Sequence, residues 1–495
     1  MGKTAMPNVV WFCTDQQRWD TIHSLGNPHI RTPNLDRLAA EGTAFTRAYV
    51  QCPTCTPSRS SFLTGRYPRT TKAFFNGNDT YSKDETLVTR FLADRGYTCG
   101  LTGKLHLTSA QGRMEKRTGD GYSYMKWSHH PYDDWPNGEN EYQAWLSRKG
   151  VKWDDIYGGR YPRLSLRPKV QNPRYTGSDD GVPAEYHQTA WCVEEAVNFI
   201  EQCRKKGNAP WLISVNPFDP HPPLDPPREY KDRLSIDDMP LPLRKDGEMK
   251  RKPPHQQRDY EIGGQNGAAP PIASLTDQQI REKTRDYYAQ IELIDDQLGR
   301  LLDYLDSTGQ RDNTMVIFMS DHGEMGGDHG LYWKGAYFYE GVVHVPLIIS
   351  WPSRIKAGLV SSALVEMVDI APTLAEAAGF EVPEYMQGKS LMPLLSGQVS
   401  ADHHKDLVYS EFYRCLKGCH EDIFATMCFD GRYKIVNYHG KETGELYDFE
   451  TDPHEFENLW DDENYGEIKT ALTRKNFDNA LLCSMDFSMG MKFMY

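Results

Sequence analysis

The sequence predicts an α/β protein with a large central, mixed and mostly parallel sheet that carries helices on both faces. A small C-terminal α+β domain with an antiparallel sheet follows it. Three observations lead to this prediction. Short apolar segments alternate with helical segments over roughly the first 400 residues, as in sheets buried on both faces. Polar residues follow several of these apolar segments directly. After about residue 400, short strands follow one another closely.

The predicted elements of the α/β part start at residue 8. Asn8–Thr14 is predicted to be a buried strand, because its apolar run continues up to Asp15. A helix starts at Thr32 and ends before a glycine, and Asp84–Arg95 is the next predicted helix. Further strands are predicted at Tyr97–Leu101, Trp211–Val215, Met315–Met319 and Val345–Ser350, and further helices at Glu185–Arg204, from Thr276 to Leu305 and from Asp369.

Two aperiodic stretches interrupt the alternation, at about residues 108–183 and 224–275. Long irregular segments inside a compact protein usually serve function, so we expect both to border a pocket. The predicted catalytic domain spans residues 1–400 and the C-terminal domain spans 401–495. Strands of the second domain are predicted at Leu407–Tyr413, Phe424–Phe429, Tyr433–Tyr438 and Glu445–Asp448. The apolar tail Met485–Tyr495 is expected to pack on its own domain or to join subunits of a homo-oligomer.

Composition limits the function classes. The chain has 495 residues, a net charge of −13 and ten cysteines. An acidic chain is a poor general binder of nucleic acid or anionic membranes, so we expect neither as a partner. Ten scattered cysteines do not indicate a disulfide scaffold. Since neither a signal segment nor a membrane-spanning apolar run is visible, we expect a cytoplasmic protein with reduced thiols.

One segment, Cys52–Arg66, concentrates two cysteines, two prolines and two arginines around a glycine. Pro57 suits the first turn of a helix, and Gly65 suits its left-handed end. Cys55 is therefore expected just before a helix N-terminus, where unpaired N–H groups stabilise negative charge. Arg59, one turn further on, projects back towards it.

Three interpretations of this segment compete. The first is a buried structural cysteine, which is the usual role of a lone cysteine. The second is a redox or zinc pair made by Cys52 and Cys55, for which Cys415 and Cys419 are the nearest second pair. The third is a catalytic signature, which requires further polar residues elsewhere in the chain to complete a site.

Four predicted strands end in polar residues, and the carboxyl ends of strands in open α/β sheets are where sites form. These residues are Asp15 and Gln16, Lys104 and His106, His221, and Asp321 and His322. Taken singly, each is ordinary loop chemistry, such as a turn at an aspartate or a solvated lysine. Together, two carboxylates and an imidazole suit Ca²⁺, Mg²⁺ or Mn²⁺.

The segment from Cys55 to Arg66 resembles the signature of the sulfatase family, Cys-x-Pro-x-Arg followed by Thr-Gly-Arg. The resemblance implies that a maturation enzyme oxidises Cys55 to formylglycine, whose hydrated aldehyde is the nucleophile, and that Arg59 orients it. It also implies that Asp15, Asp321 and His322 hold one divalent cation together with residue 55, with Ca²⁺ favoured and Mn²⁺ as the alternative. Gln16 stands where many members of the family have a second aspartate.

Further segments are similar to family motifs. Gly103–Leu107 resembles Gly-Lys-x-His-Leu, which implies that Lys104 binds sulfate and that His106 takes a proton from the nucleophile. His221 lies in a Pro-His-like segment and Lys334 matches a family lysine, so both are expected at the sulfate and its leaving oxygen. His344 replaces an arginine of the family pattern, which predicts a missing ion pair. Leu446–Asp448 with Asn458–Leu459 resembles the C-terminal signature.

The resemblance implies a sulfatase that hydrolyses a sugar or aryl sulfate ester to an alcohol and inorganic sulfate. The nearest alternative is a phosphonate monoester hydrolase or phosphodiesterase on the same fold. More remote alternatives are a redox or zinc protein that uses Cys52 and Cys55, and a binding protein with a degenerate site. His129 and His130 allow two interpretations, a contact with substrate or a pair of surface histidines, and the surface pair is the favoured one.

Overall fold

The computed structural model describes residues 6–110, 114–129, 140–153, 156, 182–207 and 209–485. Its strands are β1 (Asn8–Thr14), β2 (Thr43–Phe45), β3 (Ala48–Tyr49), β4 (Thr98–Gly103), β5 (Tyr122–Trp127), β6 (Trp211–Asn216), β7 (Thr314–Ser320), β8 (Leu347–Ser350), β9 (Leu359–Ser361), β10 (Val365–Glu366), β11 (Val408–Tyr413), β12 (Phe424–Phe429), β13 (Tyr433–Tyr438) and β14 (Gly444–Asp448). Eight of these strands form one sheet, in the order β5-β4-β6-β1-β7-β8-β2-β9. Strands β5, β4, β6, β1 and β7 are parallel, and β8 is antiparallel to both of its neighbours. The predicted mixed, mostly parallel sheet is confirmed.

Helices cover both faces of this sheet. The longer ones are α1 (Pro33–Ala40), α2 (Cys55–Thr64), α3 (Glu141–Arg148), α4 (Gln188–Lys206), α5 (Pro254–Ile262), α6 (Asp277–Ser307), α7 (Ile370–Ala377) and α8 (Gly466–Cys483). Shorter helical segments are Pro68–Thr71, Val88–Ala93, Arg228–Lys231, Gly264–Gly267, Glu340–Val343 and Met392–Leu395. A capping box starts α6, because the side chains and backbone amides of Thr276 and Gln279 are bonded reciprocally. None of the described helices combines the length and apolar character that crossing a membrane requires.

The apolar core is split by the sheet. In β1, Val9 and Trp11 join the apolar cluster that contains residues of α2 and α7. Val10 and Phe12 face the other cluster, which contains residues of α1, α4 and α6. Because successive side chains of a strand point to opposite faces, an unbroken apolar run is what a strand covered on both faces needs. The sheet is therefore held between two helical layers, and its strand ends are left for polar residues.

A separate four-stranded antiparallel sheet, in the order β11-β12-β13-β14, follows the large sheet and carries α8. It confirms the predicted C-terminal α+β unit. A backbone hydrogen bond from Glu411 N to Gln51 O, at 2.9 Å, joins this sheet to the segment that precedes Cys55. The boundary at residue 400 stays a prediction, and the tail after Met485 lies outside the described residues.

Two local predictions are wrong. The helix predicted at Asp84–Arg95 spans only Val88–Ala93, because Glu85 turns inwards to a buried ion pair with Arg66 at 3.1 Å. The aperiodic stretch at 108–183 contains α3 and β5, a strand that pairs in parallel with β4 at the sheet edge. An edge strand is half exposed, so β5 mixes polar and apolar residues. A search for continuous apolar runs therefore does not detect it.

Candidate active site

Cys55 is the first residue of α2 and not the residue before it, which corrects the sequence-based placement. Thr54 precedes it in extended conformation, and Gly65 ends the helix with φ +71°. All residues of α2 are buried, so the helix N-terminus faces the protein interior. Its free N–H groups favour negative charge at position 55.

Asp15 and Asp321 meet because β1 and β7 are parallel neighbours with their carboxyl ends at one edge. The Asp321 amide donates to Thr14 O at 3.2 Å, and the Gln16 amide donates to Asp321 Oδ1 at 3.1 Å. The structure thus brings together the side chains that the sequence places on two strands some 300 residues apart. Their common position follows from the topology of a parallel sheet.

Four potential ligand atoms lie within 4.8 Å of one another, on Asp15, Cys55, Asp321 and His322. Cys55 Sγ is 3.1 Å from His322 Nε2 and 3.7 Å from Asp15 Oδ1. His322 Nδ1 lies 2.8 Å from Gly323 O, and a carbonyl oxygen only accepts, so this nitrogen donates. Nε2 is therefore the ring nitrogen that faces the cluster, which is the arrangement of a metal-ligating histidine.

This set fits a divalent cation. Carboxylate oxygens are ligands of Ca²⁺ and Mn²⁺, an imidazole nitrogen favours the transition metal of the two, and the group is fully buried. The Lys334 ammonium already places a positive charge among the same atoms, at 3.1 Å from both His322 Nε2 and Cys55 Sγ. A positive charge is thus what the surrounding atoms stabilise. Asp15, Gln16, Asp321 and His322 would hold the cation beside residue 55.

Lys104 and Lys334 bring two ammonium groups to Cys55. Their Nζ atoms lie 3.8 and 3.1 Å from Cys55 Sγ. Burial and Asp15 oppose the thiolate, but Lys104, Lys334 and His322 hold the pKa of the Cys55 thiol below its usual value. Lys104 is buried against Asp15, and this pairing raises the pKa of the lysine in spite of burial. The pocket therefore favours an anion at position 55.

Arg59 acts on the site through Asp321. Its Nε donates to Asp321 Oδ2 at 2.8 Å and its Nη1 donates to Lys104 O at 3.1 Å. Arg59 is 1% exposed, and no hydrogen bond joins it to Cys55 among the described residues. Nη2 has no hydrogen-bond partner in the described part of the chain. Arg59 thus fixes one predicted metal ligand and keeps one donor unused.

His106 is buried beside His129, with ring centroids 4.7 Å apart. The prediction that His129 lies at the surface is wrong, since it is 6% exposed; His130 lies outside the described residues. Glu115 fixes this turn by accepting hydrogen bonds from His106 N at 2.6 Å and Trp127 Nε1 at 3.0 Å. Burial and the Lys104 charge hold the pKa of His106 well below its usual value. A neutral imidazole is the form that can accept a proton.

His221 follows β6 on a loop tied to β1, because Asp15 N donates to Asp219 O at 3.1 Å. Its Nδ1 donates to Pro222 O at 2.6 Å. Burial and Lys334 hold the pKa of His221 well below its usual value, although Asp15 acts in the opposite direction. All four polar strand ends of the sequence prediction thus contribute to one region.

Cys52 does not share the environment of Cys55. Its Sγ lies 3.1 Å from Thr54 Oγ1 and 3.7 Å from Cys415 Sγ. Among the described residues, Cys52 joins no cluster of metal-ligating side chains, whereas Cys419 groups with Asp259 and His420. The four cysteines of the zinc interpretation are therefore distributed over three different surroundings.

The ion pair expected to be missing at His344 is replaced by another. His344 Nδ1 lies 2.8 Å from Glu340, and Lys434 Nζ lies 2.7 Å from the other oxygen of the same carboxylate. His344 also stacks on Trp19, with ring centroids 4.6 Å apart. The cation comes from a strand of the C-terminal sheet, a partner that a local motif cannot reveal.

Glu340→Gln is expected to lower the free energy of unfolding by about 3 kcal/mol at pH 7, because it leaves buried Lys434 with a weaker counter-charge. Lys434 and His344 outweigh burial and hold the pKa of Glu340 below its ordinary value. Its contribution is present above the unfolded-state pKa and is lost as pH falls through the folded-state pKa. Denaturant unfolding should therefore show the difference from wild type narrowing below about pH 4.3.

The matched control is Glu450→Gln, because Glu450 contacts Arg432 at 2.7 Å but its side chain is 64% exposed. Exposed pairs contribute little, so this variant should unfold nearly like the wild type at every pH. An equal loss in both variants, or a constant difference for Glu340→Gln across pH, would contradict the prediction.

A cavity of about 250 Å³ adjoins the site. Tyr287 lines it and donates from its hydroxyl to Gln16 O at 2.7 Å, and Glu324 lines it while contacting the Gln16 side chain. The second aperiodic stretch supplies one wall, and aromatic residues supply the other. These residues are Leu224, Pro240, Leu241, Pro242 and Leu243 on the first wall and Tyr287, Tyr288, Tyr332 and Trp333 on the second.

Sequence reasoning missed Glu324, Glu115 and Tyr287. Glu324 carries a usable signal, because it stands two residues after His322 at the same strand end. Glu115 and Tyr287 reach the site from a loop and from the middle of α6, so no local pattern marks them.

Known proteins support a family assignment. Residues 7–380 match the family model described as Sulfatase, and residues 327–480 match the model described as N-sulphoglucosamine sulphohydrolase, C-terminal. An arylsulfatase of Clostridium perfringens is 30% identical over 470 residues, which cover 93% of this chain and 92% of that protein. An N-acetylglucosamine-6-O-sulfatase of Bacteroides thetaiotaomicron is 29% identical over 509 residues, which cover 95% and 85% of the two chains.

A phosphonate monoester hydrolase from Silicibacter pomeroyi shares the fold. Its solved structure has a TM-score of 0.81 with 23% identity, and the match covers 99% of this chain and 98% of that one. The family model matches more than half of the chain, and it does so over the segments that carry Cys55, Lys104, His221 and Asp321. The chain therefore belongs to the sulfatase family of sulfuric ester hydrolases.

Proposed function

We propose that this protein hydrolyses a sulfate ester with residue 55 in its formylglycine form and with one divalent cation held by Asp15, Gln16, Asp321 and His322. The observation that carries this proposal is the surroundings of Cys55 Sγ, which has His322 Nε2 and Lys334 Nζ at 3.1 Å. A maturation enzyme that oxidises Cys55 is part of the proposal. The carboxylates favour Ca²⁺, and the imidazole makes Mn²⁺ the alternative.

Each side chain has a role in this proposal. When bound, the cation would polarise the nucleophilic hydroxyl and neutralise charge on the transferred group. Lys104 and Lys334 are placed to bind sulfate oxygens, since both ammonium groups lie within 3.8 Å of Cys55 Sγ. His106, whose lowered pKa keeps it neutral, accepts a proton from residue 55. His221 supports departure of the alcohol.

The cavity supports an aryl leaving group over a charged saccharide. Its walls are mostly leucine, proline and aromatic side chains, and Pro222 and Trp333 place it beside His221 and Lys334. The Arg18 guanidinium, which lines the cavity, is already paired, because it contacts Asp20 at 2.7 Å and Asp328 at 2.8 Å. A cavity of about 150 Å³ holds benzene, so one of about 250 Å³ has room for a second ring.

A phosphonate monoester hydrolase remains the second candidate. The similarity in fold to the Silicibacter pomeroyi enzyme favours it. Sulfate monoesters and phosphonate monoesters both carry one negative charge, so the two lysines can bind either. Relative rates on the two ester classes distinguish the candidates.

With a series of esters, kcat/KM is expected to be highest for 2-naphthyl sulfate. It should exceed that for phenyl sulfate about 10-fold, since burying the second ring is worth about 1.5 kcal/mol. Glucosamine 6-sulfate and phenyl phenylphosphonate should react more slowly than phenyl sulfate. Initial rates from released alcohol measure this order.

Leu241→Asn serves as the matched variant, because Leu241 belongs to the apolar wall. It should reduce the preference for naphthyl over phenyl sulfate and leave the phenyl sulfate rate nearly unchanged. A higher kcat/KM for the phosphonate would reject sulfate as the substrate. A higher value for the saccharide would reject the aryl leaving group alone.

A further inference from the structure

The Gln16 side chain is held between a carboxylate and an ammonium group. Its Nε2 donates to Glu324 Oε2, and its Oε1 accepts from Lys334 Nζ at 2.7 Å. Gln16 is 1% exposed and Glu324 is 5% exposed, so both side chains are buried. The backbone is fixed as well, because Gln16 O accepts from Tyr287 Oη at 2.7 Å.

These neighbours allow only one orientation of the Gln16 amide. A carboxylate accepts hydrogen bonds and an ammonium group donates them, so Nε2 must face Glu324 and Oε1 must face Lys334. The same Lys334 Nζ contacts Cys55 Sγ and His322 Nε2 at 3.1 Å. The oxygen of the amide is therefore directed towards the predicted cation ligands.

Glu324 is itself held rigidly. Its Oε1 accepts from Gly326 N at 2.9 Å and from Trp333 N at 2.5 Å. Its backbone carbonyl accepts from Arg18 Nη1 at 2.9 Å. The carboxylate cannot turn without breaking bonds to two backbone amides, so it can impose an orientation on Gln16.

We propose that Glu324 is a positioning residue that directs the carbonyl oxygen of Gln16 towards the cation. Glu324 also supplies the negative charge that an aspartate at position 16 would have provided. This charge lies further from the cation, because the Gln16 side chain stands between them. This inference rests on the cation of the proposed function and names a residue that controls it. Glu324 acts through Gln16 and does not contact Cys55 among the described residues.

Isosteric substitutions test the orientation. In Glu324→Gln, the new NH₂ group at position 324 faces the NH₂ group of Gln16, and two donors repel each other. The Gln16 amide must either stay in this unfavourable contact or turn over, which directs its own NH₂ group at the cation. In the exchange variant Gln16→Glu/Glu324→Gln, the new glutamine still accepts from Gly326 N and Trp333 N and donates to the new glutamate. Every hydrogen bond of the pair and its total charge are retained.

The measurement is the affinity of the chelator-treated full-length protein for Mn²⁺ and for Ca²⁺, by isothermal titration calorimetry. Glu324→Gln should weaken binding about 10- to 100-fold, the usual effect of losing a partner of a metal ligand. The exchange variant should return to within about threefold of the wild type. In a Gln16→Ala background, Glu324→Gln should have no further effect, because its partner is gone.

Glu248→Gln is the matched control, since Glu248 is a buried carboxylate that contacts His329 at 2.7 Å, near the same loop. Its cation affinity should equal that of the wild type. Equal affinity of Glu324→Gln and wild type overturns the inference, as does an exchange variant that stays weak or an undiminished effect in the Gln16→Ala background. If Glu324→Gln alone does not fold, the exchange variant and the comparison in the Gln16→Ala background decide.

The outcome is separable from that of the proposed function. Cation affinity is measured without turnover and without formylglycine. A wild type that binds Mn²⁺ but hydrolyses no sulfate ester rejects the proposed reaction and leaves the inference standing. A wild type that hydrolyses sulfate esters while Glu324→Gln binds the cation normally rejects the inference alone.

Discussion

Cys55→Ala is expected to lower kcat/KM for sulfate ester hydrolysis by about 10⁴-fold or more, as removal of a catalytic nucleophile does. Cys55→Ser should be impaired to a similar degree. A serine hydroxyl can attack once, but it cannot form a geminal diol whose second hydroxyl expels sulfate. Both substitutions are small, and they replace a residue that is 1% exposed at the start of α2. Circular dichroism and thermal unfolding should therefore remain close to the wild type.

Mass spectrometry of the peptide that contains Cys55 checks the chemical basis of this result. Conversion to formylglycine lowers the mass by about 18 Da, which thiol oxidation alone does not. The matched control is Cys52→Ala, because Cys52 is also buried but contacts Thr54 and Cys415. It should retain both the mass change and turnover. If active protein from a host with the maturation enzyme contained unmodified Cys55, formylglycine would be rejected as the nucleophile.

The strand ends were predictable because their signal is local. Asp15 and Asp321 each follow an unbroken apolar run, and parallel strands place such ends at one edge. The sequence also indicated the helix after Cys55 through Pro57 and Gly65. The sequence-based prediction started the helix one residue too late, after Cys55, because a pattern of side chains does not determine the first residue of a helix.

The parts that were not predictable depend on contacts between distant segments. Lys434 reaches Glu340 from the C-terminal sheet, and this contact replaces the ion pair that the family motif predicts to be missing. In our proposal, Glu324 compensates for Gln16 at a position where many members of the family have an aspartate, because it places a negative charge next to the amide. Such compensation is visible only once the fold has joined the two strand ends.

Asp321→Asn is expected to affect stability, cation binding and turnover together. Asp321 is fully buried, and its Oδ2 accepts from Arg59 Nε at 2.8 Å. Breaking a buried ion pair leaves an uncompensated guanidinium and costs about 3–5 kcal/mol. Loss of an anionic ligand also weakens cation binding, and kcat/KM should fall about 10³-fold or more. Denaturant unfolding, calorimetric titration with Mn²⁺ and initial rates measure the three effects.

Asp369→Asn separates the stability effect from the site effect. Asp369 is equally buried and contacts Lys405 at 2.7 Å, but it belongs to none of the clusters of metal-ligating side chains in the described part of the chain. It should lose stability to a similar degree while cation affinity and kcat/KM stay within about threefold of the wild type. If Asp369→Asn lost cation affinity as Asp321→Asn does, the loss would reflect general loosening of the fold. If Asp321→Asn kept full affinity, Asp321 would serve only as the counter-ion of Arg59.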